Sequence, residues 1–257
     1  MTVETIAVGQ EDPCRGRTMR FRDNVSGYDI RVATPNRSPG LWHRYLAGAR
    51  DAYRHFGNET TLDYDGVLDG ASTALFFAAT DSHDRVVGGL RVQGPYIWVS
   101  EVGSLTPWAG RPGAADLGLM MARRIPRGVV ESRAAWVARD APRRDDLAAA
   151  ISRCMAHAPR ILGARYGFAT VASFTTGRHS ASGGVQAQSI PPVPYPDERY
   201  RTLPIWWDTR TYHVFADKLQ YLLMRGELRT MGLAEPRSRR PHRLPGHGGE
   251  ECYAYGR

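Results

Sequence analysis

Two short segments, forty residues apart, carry charge where a strand would bury its side chains. Segment 85–92 reads Arg85-Val86-Val87-Gly88-Gly89-Leu90-Arg91-Val92, and segment 129–137 reads Val129-Val130-Glu131-Ser132-Arg133-Ala134-Ala135-Trp136-Val137. A strand covered on both faces is continuously apolar. Arg91, Glu131 and Arg133 break that rule, and a buried charge is costly unless it is paired. Three charges on two core strands point to a polar site built inside the fold. A carboxylate there can take a proton or hold an ammonium, and a guanidinium can hold a carboxylate. The competing role is structural, with Glu131 pairing to Arg91 or Arg133 to hold the core together.

The surrounding pattern shows what must position these residues. Residues 28–33 alternate like a strand, and 34–39 form a turn. Residues 41–56 place Leu41, Tyr45, Ala49, Ala52, Tyr53 and Phe56 at helical spacing, with Gly57 and Asn58 as a stop. Residues 72–80 and 85–93 read as an antiparallel pair joined by a tight turn, and 97–102 as a further extended stretch. A short helix is expected over 115–124. A long one is expected over 145–162, capped by Asp145 or Asp146. Strands are expected over 168–174, 185–190 and 200–207. A Gly/Ser-rich turn spans 176–184 and a Pro-rich loop follows residue 190. A helix over 213–232 presents Phe215, Leu219, Leu222 and Leu223 as its apolar face. Strands and helices in this order predict an α+β fold with a mixed sheet rather than a repeating βαβ wind. The expected organisation is a flexible lead over 1–20, one domain over 21–212, a helix over 213–233 and a basic, disordered tail over 234–257.

Bulk properties narrow the classes. The chain has 257 residues, 42% of them hydrophobic, enough for a sizeable core. Its formal charge is +8, and Lys218 is the only lysine, so the positive charge is almost all arginine. Composition bias explains that as readily as an acidic partner does. The arginines are spread along the chain, clustering only at Arg237, Arg239, Arg240 and Arg243, which argues against a dedicated nucleic-acid reader. Cys14, Cys154 and Cys252 fit neither a disulfide framework nor a zinc site, and no metal site is expected. No run is long and apolar enough to span a membrane, so a soluble cytoplasmic protein is expected.

The order of elements resembles the GNAT acyltransferase fold. The two charged segments resemble more specifically the acyl-homoserine-lactone synthases and long-chain N-acyl amino acid synthases. One strand of that branch carries Gly-Gly-x-Arg and a hydrophobic residue, and a later one carries Glu-x-Arg or Glu-x-x-Arg. Here they stand as Gly88-Gly89-Leu90-Arg91-Val92 and Glu131-Ser132-Arg133, with Asp63, Asp65 and Asp69 as a loose match to an acidic stretch before them. The resemblance covers residues 28–207. Trp42 and Arg44 match the branch's N-terminal positions only loosely. The usual glycine-rich pyrophosphate loop is replaced by Arg139-Asp140-Ala141-Pro142-Arg143-Arg144, leaving fewer free backbone amides for a phosphate. That branch also lacks the loop and draws its acyl chains mainly from acyl carrier protein.

The resemblance implies an N-acyltransferase. It would move an acyl group, expected to be fatty, from acyl carrier protein or acyl-CoA to the amine of an amino acid or related metabolite. A lactone-forming signal synthase is one special case. Neither donor would be a permanently bound cofactor. Glu131 would be the general base or ammonium holder, with Arg91 and Arg133 holding the acceptor's carboxylate or positioning Glu131. Backbone amides of Ala135, Trp136 and Val137 would bind the thioester arm, while Ser173 and Phe174 end a strand that lines the acyl pocket. Arg139, Arg143 and Arg144 would grip an acidic carrier or its phosphopantetheine phosphate. The structural readings stand beside these. Ser173 would cap a turn, Phe174 and Trp136 would be core aromatics, the arginines would be a solvated helix start, and His179 would be a solvated loop residue. The competing functions are a short-chain acetyl-CoA-dependent GNAT enzyme and a non-catalytic GNAT-like binding module. A module would show the charged residues closed into an ion-pair network with no pocket above. An acetyltransferase would show a shallow pocket.

Overall fold

The computed structural model describes residues 19–233. The expected tail, and the lead up to residue 18, lie outside the described residues. So do Cys14, Cys252 and the C-terminal arginine cluster. An eight-stranded sheet forms the middle layer, in the order β1-β2-β3-β4-β5-β6-β8-β7. Its strands are β1 (Met19–Arg22), β2 (Asp29–Ala33), β3 (Leu75–Thr80), β4 (Val86–Gln93), β5 (Val129–Val137), β6 (Tyr166–Ala172), β7 (Val185–Gln186) and β8 (Thr202–Asp208). Every neighbouring pair is antiparallel except β5 and β6. This is the mixed, mostly antiparallel α+β sheet of a GNAT-like fold.

Helices cover both faces of the sheet. They are α1 (Pro39–His55), α2 (Tyr64–Val67), α3 (Ala114–Arg124), α4 (Arg144–Ile161), α5 (Thr176–Ala181), α6 (Tyr212–Phe215) and α7 (Lys218–Thr230). β3 shows why its run is continuously apolar. Leu75, Phe77 and Ala79 join Leu147 and Ile151 of α4 and Met224 of α7 in one core. Phe76 and Ala78, on the opposite face, join Leu41, Trp42 and Tyr45 of α1 in another. A third core gathers Tyr96, Trp108, Leu117, Val129, Phe168 and Trp206 around α3.

Gly89 of the Gly-Gly pair has a steric reason. A Cβ there would sit 2.1 Å from the Phe77 carbonyl oxygen and about 3 Å from the Tyr45 ring. Only glycine lets α1 press Tyr45 so close to β4.

Several local expectations are corrected. Residues 19–20, placed in the lead, belong to β1, which pairs with β2. Residues 97–102 are not extended: Val99–Glu101 and Gly103–Trp108 are 3₁₀ turns. The expected strand over 168–174 begins at Tyr166 and stops at Ala172, and Ser173–Thr175 turn into α5 where a loop was expected. The strand over 185–190 keeps two residues. Neither Asp145 nor Asp146 caps α4; Arg143 occupies the cap in a left-handed conformation, and both aspartates lie in the first turn. The helix over 213–232 breaks at Ala216 and Asp217. Its inward face was also misread. Phe215, Leu219 and Leu222 are about half exposed, while Met224, Glu227 and Leu228 are buried. Glu227 sets that rotation, because it is drawn inward to a buried arginine and histidine on α4.

Candidate active site

The site is built at the one parallel junction. β5 and β6 pair at three positions, Val129 with Tyr166, Val130 with Gly167 and Glu131 with Phe168, and then pairing stops. Both strands continue past that point, so they diverge. A cavity of about 750 Å³ fills the gap, walled by residues 131–137 of β5 and 169–172 of β6. On one side of the sheet it reaches Tyr53, Ser104, Tyr195 and Tyr200; on the other it reaches Ala148, Ile151 and Met155 of α4. The cavity therefore crosses the sheet through the gap between the two strands.

A bulge shapes its wall. Gly89 pairs with Trp136 and Arg91 with Arg133, so Ala134 and Ala135 together face Leu90. Ala134 has a positive φ of 48°, and its carbonyl accepts a 2.7 Å hydrogen bond from the Tyr45 hydroxyl. The bulge turns residues 134–137 into the cavity along an edge with no strand beside it. Ala135, Trp136 and Val137, whose backbone amides the resemblance assigns to the thioester arm, all line the cavity.

The three charged residues come together, and Glu131 does not make the ion pair of the structural alternative. Glu131 is 1% exposed, and its Oε2 accepts a 2.7 Å hydrogen bond from the Tyr96 hydroxyl. Burial, reinforced by the Glu131 charge, holds the Tyr96 phenol well above its ordinary pKa, so Tyr96 remains a proton donor to Glu131. Arg133 lies directly across the ladder from Arg91, and its Nη1 donates to Gln93 Oε1 at 3.1 Å. Arg91 turns to the β3 side. Its Nη1 donates to Thr73 Oγ1 at 3.2 Å and reaches Ser72 Oγ at 3.5 Å, while its buried Nε has no hydrogen-bond partner. Burial, and then the neighbouring Arg133, lower the Arg91 pKa. Neither arginine forms an ion pair with Glu131 among the described residues. Glu131 and Arg133 line the cavity; Arg91 lies behind them. The cluster is thus open on one side, with a carboxylate and a guanidinium at the cavity wall.

The remaining sequence candidates separate. Arg144 lines the main cavity. Arg139 lines a smaller neighbouring cavity of about 450 Å³, where its Nη1 lies 3.2 Å from His55 Nδ1. Arg143 is exposed and pairs with Asp146 at 3.1 Å. Trp136 borders both cavities, so it is a partition as well as a core aromatic. Phe174 lines the main cavity but is 76% exposed, so it sits at the rim rather than in the core. Ser173 is bound up in its turn, with its carbonyl accepting from the Thr176 hydroxyl. Trp42 is a buried core residue stacked on Tyr45, and Arg44 pairs with Asp84. Asp63, Asp65 and Asp69 line neither cavity.

Several site residues escaped the sequence reading. Tyr96 and Gln93 link Glu131 to Arg133. The Ser104 hydroxyl is buried on the cavity wall with no hydrogen-bond partner. Tyr53 lines the cavity with its phenol pushed up to about 12 by burial, partly offset by Arg133. His179, expected to be solvated, is 7% exposed, lines the cavity and lies 2.9 Å from Ser152 Oγ through its Nδ1. Burial and Arg178 push its pKa down to about 4, so its imidazole is neutral near pH 7. Among the described residues no group of His, Cys, Asp and Glu could hold a metal ion, and no helix is long and apolar enough to cross a membrane.

A mixed sheet that parts at its one parallel junction among the described residues, with a bulge and a cavity there, is the arrangement of a GNAT-like fold. By sequence, the chain belongs to the family of the uncharacterized protein Rv1356c of Mycobacterium tuberculosis, with which it is 40% identical over 232 residues, 88% of each chain. The uncharacterized protein Mb1391c of Mycobacterium bovis matches to the same extent. No protein-family model matches the sequence. Among solved structures, the chain is similar to FeeM, an N-acyl amino acid synthase from uncultured soil microbes. There the TM-score is 0.49 and the identity 11%, over 75% of this chain and 96% of that one. It is also similar to BjaI, a CoA-dependent acyl-homoserine lactone synthase solved with SAM and isopentyl-CoA. That match has a TM-score of 0.47 and 19% identity, over 82% of this chain and 96% of the other. A spermidine N-acetyltransferase chimera from Vibrio cholerae gives a TM-score of 0.45 at 11% identity, over 71% of this chain and 97% of the other.

Proposed function

We propose that this protein is an N-acyltransferase that moves an acyl group, a fatty one, from a phosphopantetheine thioester to an amine. The donor is acyl carrier protein or acyl-CoA, and the acceptor is an amino acid or related metabolite. The observation that carries this reading is the cavity in the β5–β6 gap, with Glu131 on its wall where the pairing stops and the bulged strand alongside. In the reaction, the amine nitrogen attacks the thioester carbonyl, the new C–N bond forms, and the C–S bond breaks. The proton shed by the amine passes to Glu131, directly or through water, and from there to the departing thiolate, so the thiol leaves protonated and Glu131 returns to a carboxylate. Tyr96 anchors one carboxylate oxygen, leaving the other to meet the amine. Arg133 holds the acceptor's carboxylate, and the β5 edge polarises the thioester carbonyl. Arg91, set behind, orients Arg133 and Glu131 through charge.

The volume favours a long acyl chain over an acetyl group, since the cavity continues past the charged residues along Ala148, Ile151, Met155 and Val171. The open cluster beneath a cavity weighs against a non-catalytic module. Such thioesters are made in the cytoplasm, so the reading places the protein there. The test is mass spectrometry of cells expressing the protein or its Glu131→Gln variant. An N-acyl amino acid or acyl lactone made only with wild type is expected, and it would name both substrates. The absence of any acylated product, together with no acyl-chain binding in vitro, would overturn the proposal.

A further inference from the structure

A cluster of four polar groups is buried beside the apolar part of the cavity. It consists of Ser152 on α4, His179 on α5, Ser182 just after α5 and Trp207 on β8, each at most 7% exposed. His179 Nδ1 lies 2.9 Å from Ser152 Oγ, and Ser152 Oγ lies 2.9 Å from Ser182 Oγ. The Ser182 hydroxyl donates to the His179 carbonyl oxygen at 2.8 Å and accepts from Trp207 Nε1 at 3.1 Å. Ser152 and His179 both line the cavity. With Nδ1 turned to Ser152, the ring nitrogen left for the cavity is Nε2, which has no hydrogen-bond partner among the described residues.

Counting protons fixes the tautomer. Each hydroxyl, the indole and a neutral imidazole supply one proton apiece. The indole gives its proton to Ser182. Ser182 gives its own to the His179 carbonyl, so Ser152 must donate to Ser182. The contact between Ser152 and the ring then takes its proton from Nδ1. No other arrangement puts one proton into each of these four contacts. The longer approach of Ser152 Oγ to the Arg178 carbonyl, at 3.3 Å, goes without. Moving the ring proton to Nε2 would empty one of the short contacts, at the cost of a buried hydrogen bond. The imidazole is neutral near pH 7, so Nε2 presents a lone pair to the cavity and can only accept.

Trp207 places this acceptor along the cavity. It pairs with Gly167, and Gly167 pairs with Val130, the neighbour of Glu131. The His179 ring meets the Trp207 ring edge-on at 5.8 Å. Trp207 belongs to the core under α4, whereas Tyr96, which holds Glu131, belongs to the core around α3. The cluster thus stands where the β5–β6 pairing stops, on the face of the sheet opposite Glu131. Its cavity-lining neighbours on α4 are the apolar Ala148, Ile151 and Met155. Resting on the acyltransferase reading, we propose that His179 Nε2 accepts a hydrogen bond from a hydroxyl on the acyl chain, within the first few carbons after the thioester. The donor is then a hydroxyacyl thioester. A carbonyl at that place would set lone pair against lone pair, and a methylene would leave the nitrogen unpaired.

The test is calorimetric binding of pantetheine thioesters, the part that coenzyme A and a carrier protein share, to the full-length protein without acceptor. The probes are dodecanoyl-pantetheine and its α-hydroxy, β-hydroxy and β-oxo forms. One hydroxy form is expected to bind at least tenfold more tightly than dodecanoyl-pantetheine, and the oxo form no more tightly than it. His179→Phe should bring the hydroxyl preference near one. Ser152→Ala frees the ring to carry its proton on Nε2, so the oxo form should gain on the hydroxy form, an effect of proton position rather than of space. Circular dichroism checks that both variants fold. Nitrogen NMR of the imidazole in wild type reads the tautomer whether or not they do, and Nδ1 should carry the proton. A proton on Nε2, equal affinities for hydroxylated and plain chains, or no binding of any of the four probes would overturn the proposal. The two proposals fail separately. Hydroxyl-selective binding that depends on His179, with no acylated product in cells, would sink only the acyltransferase reading. Transfer of a plain acyl chain in preference to a hydroxylated one would sink only the hydroxyl site.

Discussion

Two regions of this molecule bury charge, and they do it in opposite ways. On the α4–α7 side, Arg153 is 1% exposed and has every arm occupied. Its Nε donates to Glu227 at 2.8 Å, its Nη1 to Gln220 at 2.7 Å and its Nη2 to Asp23 at 2.6 Å. His157 Nε2 meets the second Glu227 oxygen at 2.7 Å. These contacts tie the turn after β1, α4 and α7 together, and none of the four charged or titratable residues lines either cavity described. At the β4–β5 site Glu131 and Arg91 are buried and Arg133 is half-buried, and the groups are incompletely matched. Glu131 is bonded through one oxygen to a tyrosine, and Arg91 and Arg133 are bonded to neutral partners. Buried charge alone therefore does not mark a site. Unmatched bonding capacity that opens on a cavity does.

The comparison breaks first, and by the largest amount, if the closed network proves dispensable. Arg153→Ala leaves Asp23 and Glu227 as buried carboxylates without their cation. That should cost about 3–5 kcal/mol of stability, while any folded fraction keeps its turnover per molecule. Urea denaturation checks this, and a loss under about 1 kcal/mol would mean that the network is not what holds α7.

His179 falls between the two regions, since it lines the cavity yet is bonded to Ser152. Its native pKa of about 4 lies below the unfolded value of about 6.5. On acidification the unfolded chain takes up a proton that the native chain refuses. Stability attributable to His179 should therefore fall between pH 6.5 and pH 4, by up to about 3 kcal/mol, and level off below. His179→Gln should lack that component. Denaturation of both proteins at pH 7 and pH 5 isolates it, and parallel curves would show the imidazole to be less buried in solution.

Glu131→Gln keeps shape, volume and an acceptor for Tyr96, so it tests chemistry apart from packing. Turnover should drop about 100-fold or more, with stability changed by less than about 1 kcal/mol. A large stability loss with turnover retained would move Glu131 into the class of Arg153.

The contrast also explains what could be read from the sequence. The charges on β4 and β5 were legible because strand periodicity makes an arginine or glutamate at an inward position conspicuous. The parallel gap was not read from the residues; only the resemblance, in assigning the backbone amides of Ala135, Trp136 and Val137 to a thioester, pointed at the strand that borders it. The closed network was not legible, since Asp23, Arg153, His157 and Glu227 sit in a turn and on helices, where a polar residue raises no alarm until the packing is known. Glu227 then reversed the reading of α7, as a pattern of leucines outvoted one glutamate that had a buried partner. Tyr96 and Arg178 were missed for a similar reason: one follows Gly94-Pro95 in a turn, the other lies in a short helix that reads as a Gly/Ser-rich loop.

The smallest expected effect is the most discriminating. From sequence alone, Arg133→Ala is expected to harm folding by stranding a buried anion. The structure removes that reason, because Arg133 is half-buried and its hydrogen bond runs to the neutral Gln93 side chain while Glu131 is held by Tyr96. The stability cost should be about 1 kcal/mol, the worth of one hydrogen bond and some packing. Relief of its repulsion with Arg91 offsets part of that. If Arg133 holds the acceptor's carboxylate, KM for the acceptor should rise about tenfold or more, with KM for the donor unchanged. Steady-state kinetics with each substrate varied in turn separates the two. A stability loss of several kcal/mol would return Arg133 to a structural role, and the β4–β5 cluster would then differ from the Arg153 network only in having a cavity beside it.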